Sequence, residues 1–277
     1  MDDRFGSPPP STFDVSPTQD DVDFFHDNGY LVVDRITTDE ELEWLTKVFL
    51  AAMDDEGTGV VFEPGRERDQ EGPPQIQQTI TPELRFPALL ETTYKRNARK
   101  FAAALLDVPE KQLSSWGHMI RKPALKSRAA PWHQDEAYWR PELTYHALGV
   151  WLPLHDVSVE RGAMQFIPGS HKGELLMHHH VGDPAGNLLE AERVDASSAV
   201  PCPLPAGGAT FHHHRTLHYT APNTTNDDRL AYPMEFQLPP ERRPEPIERP
   251  WVTAFREAVG GDLGPLVYPA DGEIIPI

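Results

Sequence analysis

The chain has 277 residues, which is enough for a domain with a sizeable buried core. Its 43 acidic residues outnumber 25 basic ones and give a formal net charge of −18, which argues against nucleic acid or an anionic membrane as a partner. No apolar run approaches the roughly 18 residues of a membrane span. The single cysteine, Cys202, excludes an internal disulfide and favours a reducing compartment. The first residues have neither a basic start nor an apolar stretch, so we expect no secretion signal and a cytoplasmic protein.

The first 112 residues have mainly helical patterns. Residues 1–16 are polar and rich in proline, so we expect a flexible tail. Thr38, followed three residues later by Glu41, is a capping-box signature that indicates a helix start. The predicted elements are a helix from Pro17 to Gly29, a buried strand from Tyr30 to Val33, a helix from Thr38 to Gly57, a mobile loop over 57–75 and a helix over 84–106.

After Leu113 the pattern changes to short strands separated by turn residues. The predicted strands cover 115–121, 147–154, 163–167, 194–200, 209–213 and 230–238. Helices first and strands afterwards predict a mainly β fold with flanking helices, whose core is a barrel or a sandwich. Residues 239–277 are rich in proline, and we expect them to wrap the surface. We therefore predict one domain over 17–277, with a helical part to about 112 and a β core over about 113–238.

A histidine and an aspartate are placed to bind one metal ion together. On an extended backbone residues i and i+2 point to the same face, so His133 and Asp135 can contact the same ion. An imidazole and a carboxylate are two of the three ligands in the facial triad of non-haem Fe(II) oxygenases. The pair alone is weak evidence, because the chain has 13 histidines and many aspartates.

A second segment, far along the chain, contains candidates for the third metal ligand and is followed by an arginine. The segment from Phe211 to Asn223 contains four histidines that can supply a third ligand from a distant strand, and Arg229 follows this segment. An arginine that returns to the same cavity on the next antiparallel strand can pair with the far carboxylate of a dicarboxylic cosubstrate, because its guanidinium is fork-shaped.

Several ordered motifs together resemble one family. They are the entry from Asp20 to Val33, the triplet His133-Gln134-Asp135, the stretch from Gly162 through Ile167-Pro168-Gly169-Ser170-His171-Lys172-Gly173, and the spacing from His218 to Arg229. The arrangement looks like the phytanoyl-CoA dioxygenase family of Fe(II)/2-oxoglutarate-dependent oxygenases, and the likeness extends to Phe236.

The resemblance implies a double-stranded β-helix core, a cupin-like jelly roll, with the metal inside one end. It implies Fe(II), 2-oxoglutarate and O2 as cofactors, with the metal held by His133, Asp135 and His218. The family pattern places Arg229 on the far carboxylate of 2-oxoglutarate, Thr220 as a further hydrogen bond to it and Trp151 as an aromatic wall. His118 and Gln75 align with further cosubstrate contacts, although their residue types are less typical of the family.

Other polar and aromatic residues have less specific signals. Tyr138 and Trp139 closely follow Asp135 and are expected to roof the pocket, and Gln77 is a candidate substrate contact. Glu235 is expected to be an exposed strand residue rather than the partner of a cationic substrate, and Trp116 and Tyr232 are expected to be structural. The run 178–180 is interpreted as a solvated loop. In the run 212–214 the first and third histidines share a strand face, and His213 or His214 is the candidate to line the cavity.

The implied reaction couples decarboxylation of 2-oxoglutarate, to succinate and CO2, to oxidation of a C–H bond in a small molecule. Related halogenases have a small residue at the carboxylate position, so Asp135 favours hydroxylation over halogenation. Two alternatives stay open: a jelly-roll binding protein with a structural metal, and a cupin-type isomerase or hydrolase. Arg229 argues against a mere metal scaffold. The substrate and the oligomeric state are not predicted.

Overall fold

The structure is a computed structural model that describes residues 4–54, 61–66, 71–245 and 247–261. The α-helices are α1 Gln19–Asn28, α2 Asp39–Met53, α3 Thr93–Leu105 and α4 Pro250–Ala258. The strands are β1 Tyr30–Val33, β2 Val61–Phe62, β3 Gln77–Ile80, β4 Ser114–Lys122, β5 Ala130–His133, β6 Leu143–Thr144, β7 Ala147–Trp151, β8 Met164–Phe166, β9 His178–His180, β10 Leu189–Ala191, β11 Val200–Cys202, β12 Ala209–His213, β13 His218–Thr220, β14 Arg229–Ala231, β15 Met234–Gln237 and β16 Glu241–Arg242. No helix among the described residues is long and apolar enough to span a membrane.

Two antiparallel sheets form the core. The larger has the order β1-β12-β7-β15-β4-β3-β2 with β14 beside β4, and the smaller has the order β11-β8-β13-β5. Apolar side chains from both sheets meet in one cluster, in which the Tyr30 ring stacks on that of Phe166 with centroids 4.9 Å apart. Sequentially distant strands are neighbours in both sheets, as in a jelly roll. The predicted fold class, mainly β with flanking helices, is confirmed.

Helices α2 and α3 cover the outer face of the larger sheet. Side chains of α2 and α3 form one buried cluster with outward-facing residues of β7, β12 and β15, and the Phe101 ring stacks on Phe211 at 5.1 Å. Because side chains alternate along a strand, the neighbouring residues His212 and Glu235 face the opposite, inner side. Burying one face under helices therefore fixes which residues reach the interior.

The helix ends follow the predicted chemistry in part. Helix α1 ends at Gly29, whose φ of +79° suits glycine, and a Cβ there would lie 2.3 Å from the His171 ring. Thr38 caps α2, but the Glu41 carboxylate does not return to it as a capping box requires. It accepts hydrogen bonds from Thr37 and from the backbone N–H groups of Thr93 (2.6 Å) and Tyr94 (2.8 Å), so it ties α2 to α3. Helix α2 ends at Met53 rather than at Gly57, which lies outside the described residues.

Several predicted element boundaries are corrected. The helix expected over 84–106 is two 3-10 helices, Pro82–Leu84 and Pro87–Glu91, followed by α3, because proline suits only the first turn of a helix. The strand expected over 230–238 is divided into β14 and β15 at Pro233, which has no N–H to donate to a sheet.

Elsewhere the differences concern short elements. Residues 194–200 are not a strand; β10 precedes them and β11 begins at their last residue. The loop expected over 57–75 includes β2, while 57–60 and 67–70 lie outside the described residues. The C-terminal wrap includes α4, anchored by the buried Trp251. Strands β5 and β13, which were not predicted, carry two of the proposed metal ligands.

Candidate metal centre and cosubstrate pocket

The three candidate ligands meet at the end of the smaller sheet. His133 ends β5 and His218 begins β13, and the two residues are directly opposite each other in the antiparallel pair. Asp135 follows on a 3-10 helix, Asp135–Tyr138. One potential ligand atom from each of the three lies within 4.8 Å of the others, so the structure brings together the triad that the sequence predicts.

Hydrogen bonds orient both imidazoles. His133 Nδ1 lies 2.7 Å from the carbonyl oxygen of Pro131, and His218 Nδ1 lies 2.9 Å from that of Thr216. Because a carbonyl only accepts, each Nδ1 carries hydrogen and each Nε2 is left for the metal. The Nε2 atoms lie 3.7 Å (His133) and 3.4 Å (His218) from Oδ1 of Asp135. Two nitrogens and one carboxylate oxygen are the donor set that suits Fe(II), so these residues fit the implied metal.

A fourth side chain, His212, contacts the Asp135 carboxylate on the side away from the two candidate histidine ligands. Its Nε2 lies 3.0 Å from Oδ2 of Asp135, the oxygen that does not face the other two histidines. His212 lines the cavity, whereas the sequence suggested His213 or His214 for that place. His214 instead approaches Glu136 at 3.3 Å, and His213 Nδ1 accepts the backbone N–H of Arg215. Strand β12 ends at His213, and the rings of His213 and His214 stack on each other at 4.2 Å, so of the three histidines of the run only His212 lines the cavity.

Charge at the site follows from burial and from these contacts. Burial, reinforced by the neighbouring His218, lowers the pKa of His133 to about 3. Burial alone would raise the pKa of Asp135, but His218 and His212 hold it well below its usual range. Burial opposes protonation of His218, yet the adjacent Asp135 raises its pKa. A neutral His133 and an ionised Asp135 are ready to bind a cation, which would displace the proton shared with His218.

A cavity of about 500 Å³ lies beside the triad, and Arg229 stands at one end of it. Arg229 is 1% exposed, and its guanidinium carbon lies 5.3 Å from the centroid of the Trp151 ring. Among the described residues no carboxylate pairs with it, and its buried Nε has no hydrogen-bond partner. Burial lowers the pKa of Arg229 to about 9. A buried cation without a counter-ion is costly, so the site is arranged to receive an anion.

Lys122, which the sequence analysis missed, lies beside this arginine. It is directly opposite Arg229 in the β4–β14 pair, and its Nζ donates to the Thr220 hydroxyl at 2.7 Å. Burial, together with Arg229, lowers the pKa of Lys122 well below its usual value. Alternation along β4 is the signal that could have identified it, because His118 and Lys122 are an even number of residues apart and both line the cavity.

The predicted site residues are not all at the cavity. Thr220, Trp151, His118, Tyr138 and Trp139 line it.

The two predicted glutamines do not. Gln77 lies opposite Arg121, while its neighbour Gln78 lies opposite Ile120 and lines the cavity, because successive residues of a strand face opposite sides. Gln75 is also absent from the lining, and its backbone N–H donates to Glu63 at 2.8 Å.

Three other expectations are corrected. Glu235 is only 7% exposed and lines the cavity, because β15 is a central strand of the larger sheet. Trp116 also lines the cavity, whereas Tyr232 is structural as expected. The run 178–180 is strand β9, in which His178 is buried and accepts the backbone N–H of Gln134 at 3.3 Å.

Comparisons with solved structures identify similar folds. EvdO2 from Micromonospora carbonacea var. aurantiaca, crystallised in complex with 2-oxoglutarate, is 35% identical with a TM-score of 0.76, and the match covers 86% of this chain and 99% of that one. The epimerase SnoN from nogalamycin biosynthesis, solved with Fe3+ and alpha ketoglutarate, is 22% identical with a TM-score of 0.67 over 93% of this chain and 95% of that one. At that identity the likeness concerns the fold alone.

Sequence comparisons name a family. Phytanoyl-CoA dioxygenase domain-containing protein 1 from Bos taurus is 32% identical over 121 residues, which are 42% of this chain and 41% of the relative. The match therefore spans about two fifths of that relative's length. The model of the phytanoyl-CoA dioxygenase (PhyH) family matches residues 25–231. The chain therefore belongs to the phytanoyl-CoA dioxygenase family, as its motifs predicted.

Proposed function

We propose that this protein is an Fe(II)/2-oxoglutarate-dependent dioxygenase that hydroxylates a C–H bond of a small molecule. Its cofactors are Fe(II), 2-oxoglutarate and O2, in keeping with its family. The observation that carries the proposal is Arg229, a buried guanidinium without a carboxylate partner among the described residues, in the cavity that also contains the triad. A metal-binding protein, or a cupin-type isomerase or hydrolase that uses no 2-oxoglutarate, would need the metal ligands but not this cation.

Each residue of the site has a role that follows from its position. When bound, Fe(II) with 2-oxoglutarate and O2 supplies the oxidising power, and the cosubstrate becomes succinate and CO2. His133, His218 and Asp135 hold the metal and leave its remaining positions to non-protein ligands. Arg229 neutralises the far carboxylate of the cosubstrate, and Thr220, fixed by Lys122, offers its hydroxyl beside it. Trp151 covers the guanidinium and keeps water from competing for it.

Asp135 supports hydroxylation rather than halogenation as the outcome. Its Oδ1 lies nearest the two imidazoles, so the carboxylate occupies the position that a halide would need. We expect hydroxylated and not chlorinated product when a substrate is turned over in the presence of chloride. Mass spectrometry of the product distinguishes the two, and a chlorinated product would contradict this part of the proposal.

Succinate formation tests the proposal as a whole. Anaerobically reconstituted protein is exposed to air with 2-oxoglutarate and a panel of small molecules, and succinate and O2 consumption are measured. We expect succinate from the wild type, none above background from His133→Ala or Asp135→Ala, and wild-type yield from the control His179→Ala, whose side chain is 52% exposed. If the folded, iron-loaded wild type yields no succinate with any compound, the dioxygenase proposal is wrong.

A further inference from the structure

The floor of the cavity contains a row of four residues from four neighbouring strands. His212 on β12 lies opposite Gly149 on β7, Gly149 opposite Glu235 on β15, and Glu235 opposite Trp116 on β4. Directly opposite residues point to the same face of a sheet, and three of the four have side chains that line the cavity. Gly149, which has no side chain, leaves a gap in the middle of the row.

The two side chains beside this gap lean into it. A Cβ on Gly149 would lie 2.5 Å from His212 Nε2 and 3.3 Å from Glu235 Oε1. His212 Nε2 in turn contacts the outer oxygen of Asp135 at 3.0 Å. The His212 imidazole therefore lies between the Glu235 carboxyl and the Asp135 carboxylate. Glu235 belongs to the cavity wall that a molecule bound next to the metal would contact.

Glu235 has no partner of its own in the described part of the chain. Its Oε2 is buried without a hydrogen bond. The Lys and Arg side chains in the described lining are Lys122, six residues along β4 from Trp116, and Arg229, which is opposite Lys122 on β14. Neither forms an ion pair with Glu235 among the described residues. A buried carboxyl that faces a cavity without a partner has to be satisfied from the cavity.

We propose that Glu235 binds the substrate by accepting a hydrogen bond from a hydroxyl or a protonated amine, in a molecule whose remaining enclosed surface is apolar and carries no anionic group. The proposal deepens the dioxygenase assignment and rests on it. Trp116 and Trp139 also line the cavity and contribute apolar ring surface to it. Burial, together with the charge of the ionised Asp135 near this end of the cavity, already raises the pKa of Glu235 well above its usual value, so a further negative charge from an anionic group is disfavoured here. A donor group held by Glu235 would keep neighbouring C–H bonds beside the triad.

Four ring compounds test the chemistry without knowledge of the natural substrate: cyclohexanol, cyclohexylammonium, methylcyclohexane and cyclohexanecarboxylate. Binding to the anaerobic 2-oxoglutarate complex is measured by proton line broadening, and the excess broadening with Fe(II) over Zn(II) shows that a probe lies beside the metal. We expect the alcohol or the ammonium to bind the wild type about tenfold or more tightly than the hydrocarbon, and the carboxylate to bind weakest.

Three variants assign this preference to one residue. In Glu235→Leu the donor preference should disappear, while the surface control Glu192→Gln should bind all probes like the wild type. Glu235→Gln keeps the size of the side chain and distinguishes an ammonium ligand from a hydroxyl ligand. An ammonium ligand should weaken by about tenfold or more, whereas a hydroxyl ligand should change little, because an amide oxygen still accepts a hydrogen bond. Circular dichroism verifies the fold of each variant.

Three results would overturn the proposal: probe affinities in both Glu235 variants equal to those of the wild type, no binding of either donor probe to the wild type, or loss of Zn(II) binding in Glu235→Gln. The last would make Glu235 a metal ligand instead. Failure of the dioxygenase assignment is seen separately, because wild-type succinate formation does not depend on these probes.

Discussion

Replacement of Arg229 by methionine separates a cosubstrate anchor from an ordinary buried residue. Loss of a well-packed core side chain normally destabilises a protein by a few kcal/mol. Arg229 differs because it is a cation with no counter-ion among the described residues, at 1% exposure. Its substitution should therefore leave the free energy of unfolding of the protein without cosubstrate unchanged or raise it, and should remove the stabilisation that 2-oxoglutarate provides.

The pKa of Arg229 gives the magnitude. Burial lowers it from 12.5 to about 9, and a change of about 3.5 corresponds to a cost of about 5 kcal/mol for the charged form in the folded state. Since the pKa falls on folding, the unfolded state binds more protons between pH 9 and 12.5. The cost is therefore fully present at pH 7 and disappears as the pH rises through that range. Lost contact with the Trp151 ring, worth about 0.5–2 kcal/mol, offsets part of the gain.

The assay is urea unfolding of the Zn(II)-loaded protein with and without 2-oxoglutarate. At 100 times the wild-type Kd the cosubstrate should stabilise the wild type by about 2.7 kcal/mol. If the lost charge-assisted hydrogen bonds weaken binding by about 100-fold, Arg229→Met should gain only about 0.4 kcal/mol. Arg242→Met, at an exposed arginine of β16, is the matched control and should respond like the wild type. Equal stabilisation of Arg229→Met and wild type by 2-oxoglutarate would refute the reasoning.

Two further predictions concern contacts around the metal, and a third concerns the buried histidines of the whole described chain. His212→Ala, which frees the outer oxygen of Asp135, should weaken Zn(II) binding by about 10- to 100-fold in a chelator competition, and an unchanged affinity would mean that His212 does not position the carboxylate. Gly149→Ala puts a Cβ 2.5 Å from the His212 ring and should lower the free energy of unfolding by about 1–3 kcal/mol and weaken Zn(II) binding. Unchanged stability and unchanged Zn(II) affinity would contradict the close approach of His212 to Gly149. Without metal, the free energy of unfolding should fall as the pH is lowered from 6.5 towards 4, because the unfolded state then binds protons that the folded state does not. Each histidine whose pKa is lowered by folding should contribute up to about 1.4 kcal/mol per pH unit. Denaturant titrations at pH 7 and pH 5 measure this, and equal stabilities would contradict it; the histidines whose pKa values are lowered to about 4 or less are His118, His133, His155, His178 and His213.

The metal ligands could be predicted because their chemistry is local. His133 and Asp135 are two residues apart on an extended chain, and His218 and Arg229 follow at a spacing typical of the family. The strands that carry the two histidines were missed, however. Strands β5 and β13 have only four and three residues, too few for an alternating pattern to emerge. Their pairing across the chain, with His133 opposite His218, is a tertiary property.

The rest of the cavity depends on strand register and on burial. An error of one residue in register moves a side chain to the other face, which is why Gln78 rather than Gln77 lines the cavity. Glu235 was expected to be exposed because glutamate is almost never buried without a partner. Its burial follows from the central position of β15 between β7 and β4, which no local pattern reveals.

Anaerobic addition of Fe(II) and then 2-oxoglutarate, followed by visible absorption, tests the central claim most directly, because it requires the triad and the cosubstrate site together. The wild type should develop a weak charge-transfer band when both are present. His133→Ala should show none, and Arg229→Met should need a much higher cosubstrate concentration. A folded, iron-loaded wild type without the band, or a band of equal strength in His133→Ala, would contradict a metal centre built from His133, Asp135 and His218.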